Sequence, residues 1–274
     1  MKKVLAVLDG AHFPAAISNF ALHLNNIEPM LLTGIFLPSA DYAAATEYLY
    51  YGNAVVPAYL EAYDTDPAVI KQNISRFESF CDTHHIRYRV HKEIKKDIVS
   101  ELKLESRFAD LMLLSDSEFY NNQGPDIQDE YLHETLHHAE CPVLLLPDNN
   151  TVPDNIVLAY DGSASSMCAI RQFIYTMPEL TDLETLVVYA GNSHDDLPFI
   201  NQLKEYLPQH FNKLAYYRLD ADPRKYFDTW ITNKGNPLLV SGSYGRSPFS
   251  EMLRKSFITE IVKEHKLPVF VAHH

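Results

Sequence analysis

The strongest constraint on this chain is that part of it is written twice. The stretch Lys3-Val-Leu-Ala-Val-Leu-Asp9-Gly10-Ala11 resembles Asn155-Ile-Val-Leu-Ala-Tyr-Asp161-Gly162-Ser163 at an offset of 152 residues. Toward the end of each copy, Leu111–Ser117 matches Pro237–Ser243 and Cys141–Leu146 matches Leu267–Ala272, both at an offset of 126. The first copy therefore carries 26 more residues in its middle (152 − 126). A chain of 274 residues is long enough for two cored domains, and the repeat predicts them at 1–147 and 154–274. The polar stretch Pro147–Asp154, with prolines at 147 and 153, reads as the linker.

Within each copy, short apolar runs alternate with helical periodicity, which is how a parallel sheet covered on both faces is written. In the second copy Ile156–Tyr160, Thr185–Tyr189, Ala215–Leu219, Leu238–Val240 and Val269–Ala272 read as strands. Met167, Ile170 and Ile174 keep helical spacing, as do Leu197, Ile200, Leu203 and Leu207. Asp222-Pro223 has the cap and first-turn chemistry to open a third helix, with Tyr226 and Trp230 one turn apart. The first copy repeats the order, with strands Val4–Leu8, Leu31–Leu37, Tyr88–Val90, Leu111–Leu114 and Val143–Leu146. Its helical sets are Ile17/Phe20/Leu24, Ile70/Ile74/Phe77 and Ile98/Leu102. The expected class is α/β: two repeated doubly wound domains, each a five-stranded parallel sheet with helices on both faces. Such sheets bind ligands beyond the carboxyl ends of their strands, where the winding reverses. The loops after the first and fourth strands are where chemistry is expected.

Charge and cysteine usage narrow the function. A formal net charge of −13 argues against broad binding of nucleic acid or anionic lipid, both of which need a basic surface. Cys81, Cys141 and Cys168 lie far apart with no paired spacing, so neither a disulfide framework nor a cysteine zinc site is expected. The apolar run after Lys3 ends at Asp9, too short for a signal peptide, and no run approaches a membrane span. The expected location is the cytoplasm.

The two indicated loops of the second copy are unusual in composition. One is Asp161-Gly162-Ser163-Ala164-Ser165, a carboxylate at a strand end followed by small residues that open a helix. The other is Gly242-Ser243-Tyr244-Gly245-Arg246-Ser247-Pro248, continuing through Arg254-Lys255-Ser256 into an expected helix at 257–266. Paired glycines let the main chain turn tightly, and unpaired amides at a helix start attract anions. Arg246, Arg254 and Lys255 add local positive charge, and Ser256 adds a hydroxyl. Asp161 is placed to accept from ribose hydroxyls or a base amine, although a lone aspartate here more often serves as the N-cap of the next helix.

These residues resemble the universal stress protein family. An aspartate ending the first strand, then a fourth strand leading to Gly-x-x-Gly, nine residues, Gly and Ser/Thr, is that family's pattern, and the two copies resemble its tandem members. The resemblance spans nearly the whole chain, while the specific motif stands only in the second copy. It implies strand order 3-2-1-4-5, cytoplasmic location, stress-related roles, frequent dimerisation, with a homodimer as one assembly, and ATP binding in some members, with Mg a companion ion. It carries Asp161, Gly242, Gly245 and Ser256 onto the family's nucleotide-binding positions, with Ser243 and Arg246 inside the loop. It also implies that the last strands of the two domains pair within the chain. Two departures stand out. Lys255 replaces the third glycine, exchanging close backbone approach for an ammonium. In the first copy Gly242, Gly245 and Ser256 correspond to Asp116, Phe119 and Glu130, and carboxylates there repel phosphate, so this half is read as having lost the site.

Competing signals are weaker. His133-Glu134-Thr135-Leu136-His137 is a formal HExxH, in which two histidines one turn apart bind zinc. The repeat frame aligns it with Thr259–Lys263, a helix that covers the sheet, and no third ligand follows before the next strand. No metal and no catalytic residue is assigned, and any ATP hydrolysis would be slow for want of a general base. No GxSxG elbow is present. The extra chain of the first copy, 38–67, gathers six tyrosines, a composition suited to an interface or to packing on its own sheet. The alternatives to a nucleotide-binding regulator are accordingly a nucleotide-free interaction module and, behind it, a zinc metallohydrolase built on the HExxH at 133–137.

Overall fold

The computed structural model describes residues 1–9, 13–37, 48–51, 54–57, 67–91, 98–115, 135–147, 152–190, 197–219, 231, 234–242 and 267–272. In chain order the first half has β1 (Lys3–Asp9), α1 (Ala15–Ile27), β2 (Leu31–Leu37), β3 (Tyr48–Tyr51), β4 (Ala54–Pro57), α2 (Pro67–Thr83), β5 (Arg87–His91), α3 (Ile98–Ser106), β6 (Leu111–Ser115) and β7 (Val143–Leu146). The second half has β8 (Asn155–Tyr160), α4 (Ala164–Thr176), β9 (Glu184–Ala190), α5 (Ile200–Tyr206), β10 (Leu214–Leu219), β11 (Pro237–Gly242) and β12 (Val269–Ala272).

The strands form one ten-stranded sheet in the order β10-β9-β8-β11-β12-β7-β6-β1-β2-β5. Every pairing in it is parallel except β12 with β7. The winding reverses in each half at its first strand, between β1 and β6 and between β8 and β11. The last strands of the halves meet with Val269 opposite Leu145, Phe270 opposite Leu144 and Val271 opposite Val143. Each therefore covers an edge that would otherwise offer open amides and carbonyls.

Burial explains why the central strands are nearly continuous apolar runs. Alternate residues of β1 and β8 feed two cores, one on each face of the sheet. Val4, Ala6, Leu8, Ile156, Leu158 and Tyr160 join α1, α2, α4 and α5 on one face. Leu5, Val7, Val157 and Ala159 face Leu102 of α3, Leu136 and Ile231 on the other. Each core runs across the β7–β12 junction, where Phe173 of α4 meets Phe270 edge-on at 5.5 Å between ring centres. In the first half, Phe13, Phe36 and Tyr88 all contact Phe77 edge-on. Gly34 of β2 admits that ring, since a Cβ there would lie 3.0 Å from it.

Strand limits agree with the sequence reading to within one or two residues, but two elements differ. Leu197 does not belong to a helix with Ile200, Leu203 and Leu207. α5 begins only at Ile200 because Pro198 and a left-handed Phe199 precede it, and Leu207 opens a 3-10 turn. The inserted segment contains an antiparallel pair that the sequence reading did not assign, β3 with β4, in register Tyr48 opposite Pro57. The helix expected from Asp222-Pro223 lies outside the described residues, apart from helical Ile231.

Candidate functional site

β8 and β11 are parallel neighbours with Leu158 opposite Val240, so Tyr160 and Gly242 end level and Asp161 stands one residue beyond. The structure thus brings Asp161 and Gly242 to one carboxyl-end rim, at the point where the winding reverses. Ser243, Gly245, Arg246 and Ser256, with Lys255, lie outside the described residues.

The Asp161 loop is organised by its own side chains. An Asp161 carboxylate oxygen accepts from the Ser163 amide at 2.8 Å. Ser163 caps α4, its hydroxyl oxygen accepting from the Ser166 amide at 3.1 Å, while the Ser166 hydroxyl donates back to the Ser163 carbonyl. Between them Gly162 has φ +81°, and a Cβ there would come within 2.8 Å of Pro198 Cβ. Both the backbone sign and the close neighbour require glycine at this position. The helix cap is therefore Ser163, and Asp161 serves the turn before it.

Gly242 is explained by packing. A Cβ on it would lie 2.7 Å from the backbone carbon and oxygen of Ser165 and 2.8 Å from the Ser166 nitrogen. The first turn of α4 thus rests directly on the end of β11. The sequence reading gave this glycine to ligand approach; the structure gives it to helix approach, with the same loss of side chain.

Pro198 and Phe199 complete the described rim. The buried Tyr160 hydroxyl donates to the Pro198 carbonyl at 3.0 Å. Burial first, then the charge of Asp161, pushes the Tyr160 phenol above its ordinary value, which keeps it a donor. Phe199 has φ 54° and is 64% exposed, with a ring carbon 3.9 Å from where a Gly162 Cβ would stand. Sequence reasoning missed both residues. The only signal was Leu197-Pro198 within an apparently helical pattern.

In the first half the loops after the corresponding strands lie outside the described residues. β1 ends at Asp9 and β6 at the buried Ser115, the counterpart of buried Ser241, while Asp116, Phe119 and Glu130 lie outside the described residues. His133 and Glu134 of the HExxH also lie outside. Of its remainder, Thr135 and Leu136 are buried, and His137 is exposed with its ring 4.8 Å from that of His138. Among the described residues no three histidine, cysteine or acidic side chains gather as a metal site. No helix of those residues is long and apolar enough to cross a membrane.

No family profile matches the sequence. No curated relative matches it either. Solved structures do. A universal stress protein from Archaeoglobus fulgidus is similar at 12% identity and TM-score 0.64, covering 99% of this chain and 96% of its own. A functionally unknown protein of Pseudomonas aeruginosa is similar at 11% identity and TM-score 0.55, covering 100% and 92%. The cytoplasmic domain of a prokaryotic cation chloride cotransporter is similar at 12% identity and TM-score 0.53, covering 98% and 94%. With helices on both faces of its mostly parallel sheet, and with that end-to-end likeness, the chain has the α/β fold of the universal stress proteins.

Proposed function

We propose that this chain is a stress-response regulator of universal stress type whose second half binds an adenine nucleotide, ATP with Mg as its companion ion. The observation that carries the reading is the shared rim of Asp161 and Gly242 at the winding reversal, from which the Gly242–Gly245 loop departs. In this reading Asp161 meets the sugar or base. The amides of Ser243 and Gly245, with Arg246 and Ser256, meet the phosphates, and the first half holds no nucleotide. The two domains are 1–147 and 154–274, paired within one chain. Equilibrium dialysis with labelled ATP is expected to give one saturable site per chain, weakened about tenfold or more by Arg246→Ala if a charge-assisted phosphate contact is lost. Absence of saturable binding by the parent protein refutes the proposal.

A second reading is favoured by Gly242 itself. Its missing side chain is already accounted for by the Ser165 backbone, and Lys255 replaces the motif glycine. A nucleotide-free interaction module fits these two facts, and purified protein with no thermal shift on adding ATP but with stable partners would establish it instead.

A further inference from the structure

Phe199 combines three features that are each locally unfavourable. Its backbone is left-handed at φ 54°, a region that bulky side chains rarely enter. Its ring is 64% exposed. It also occupies the residue before α5 without giving that helix a side-chain cap, where Gly would relieve the backbone. The turn is nevertheless held firmly, by the Tyr160 hydroxyl on the Pro198 carbonyl at 3.0 Å and by the Phe199 carbonyl accepting from Leu203 at 3.0 Å. Pro198 lies against Gly162, which leaves the Phe199 ring beside the Asp161 loop at the carboxyl end of the sheet. Strain that surrounding structure maintains is characteristic of ligand-contacting positions.

We infer that Phe199 is the stacking platform for a planar heteroaromatic ring of the ligand, with the Asp161 loop meeting that ring's polar edge or its sugar. The inference rests on the nucleotide reading and sharpens it, because it assigns recognition of the base to a residue outside the glycine motif. A ring stacked on one face is chosen for having a π-surface more than for its hydrogen-bond pattern. Adenine and guanine nucleotides should therefore differ less than nucleotide and bare polyphosphate.

The test is isothermal titration of the full chain with ATP and with inorganic tripolyphosphate, for the parent, Phe199→Ala, Phe199→Tyr and Phe199→Gly. Stacking predicts that Phe199→Ala weakens ATP about tenfold or more while leaving tripolyphosphate unchanged, and that Phe199→Tyr retains ATP binding. Phe199→Gly should lose ATP affinity while its Tm rises, since glycine relieves the left-handed backbone. Equal ATP affinity in parent and Phe199→Ala overturns the stacking role alone and leaves the nucleotide reading standing. A parent that binds neither ATP nor tripolyphosphate overturns both. A Tm lowered by Phe199→Gly, with ATP affinity kept, shows the ring to be a packing element and overturns the inference.

Discussion

Gly242 shows how one residue can be required for a reason that sequence alone does not disclose. Its neighbour is main chain rather than a flexible side chain, so no rotamer change can make room for a methyl group. Gly242→Ala is expected to destabilise by about 1–3 kcal/mol, the usual cost of overfilling a close-packed site, read as a lower urea midpoint at unchanged slope. Larger substitutions there would unfold α4 from β11 and say nothing about a ligand. The thiols make a second residue-scale point. Burial, with the charges of Asp82 and Glu78, pushes Cys81 up to about 12, and burial with Asp110 pushes Cys141 up to about 12, both from 9.0. A folded value above the unfolded one means that the stabilising share is complete below pH 9 and disappears as pH climbs toward 12. Alkaline denaturation across that window, with no reaction of either thiol toward a disulfide reagent in native protein at pH 8, checks this; rapid native labelling contradicts it.

At the scale of elements, capping decides how α4 meets the sheet. Removing the hydroxyl in Ser163→Ala leaves the Ser166 amide without its acceptor and should cost about 1 kcal/mol, measured by chemical denaturation. The outer strand β5 is a contrasting case. Arg87 and Arg89 are exposed on it, and His91 sits 2.8 Å from Glu105 of α3, so its unpaired side carries charge where an apolar edge would invite aggregation. Replacing Arg87 and Arg89 with valine should leave the chain folded but raise turbidity on storage, followed by light scattering.

The central strands and the first four helices were legible because a strand buried on both faces must be apolar throughout, while a covering helix shows its 3.6-residue period. What was not legible followed physical rules of a different kind. The start of α5 depended on a left-handed residue after Pro198, and apolar spacing cannot report φ. The pair β3–β4 flanks Gly52-Asn53, a turn dipeptide whose signal was obscured by tyrosine and alanine composition. Adjacency of Asp161 and Gly242 was foreseeable from repeat and winding together. The role of Gly242 was not, since Ser165 lies far from it along the chain.

For the whole molecule, the junction is the informative feature. At the repeat offset of 126, Val143, Leu144 and Leu145 are the counterparts of Val269, Phe270 and Val271. The observed register pairs Leu144 with its own counterpart and exchanges the other two, as a local two-fold axis through that pair would. Lys2 also reaches Glu179 across the halves at 3.5 Å. A protease site inserted within 148–151 and then cut should therefore yield two fragments that co-elute on gel filtration; separation without denaturant would show the shared core to be too weak to hold them. The same antiparallel crossing sends the two halves' strand ends in opposite directions. A molecule seated beyond β8 and β11 and a protein gripping the end of β1 would occupy opposite margins of the slab, without competing for space. A message between them can pass sideways through β8, β11, β12, β7, β6 and β1, so tightening or loosening that lateral stack is a route by which either margin could sense the other.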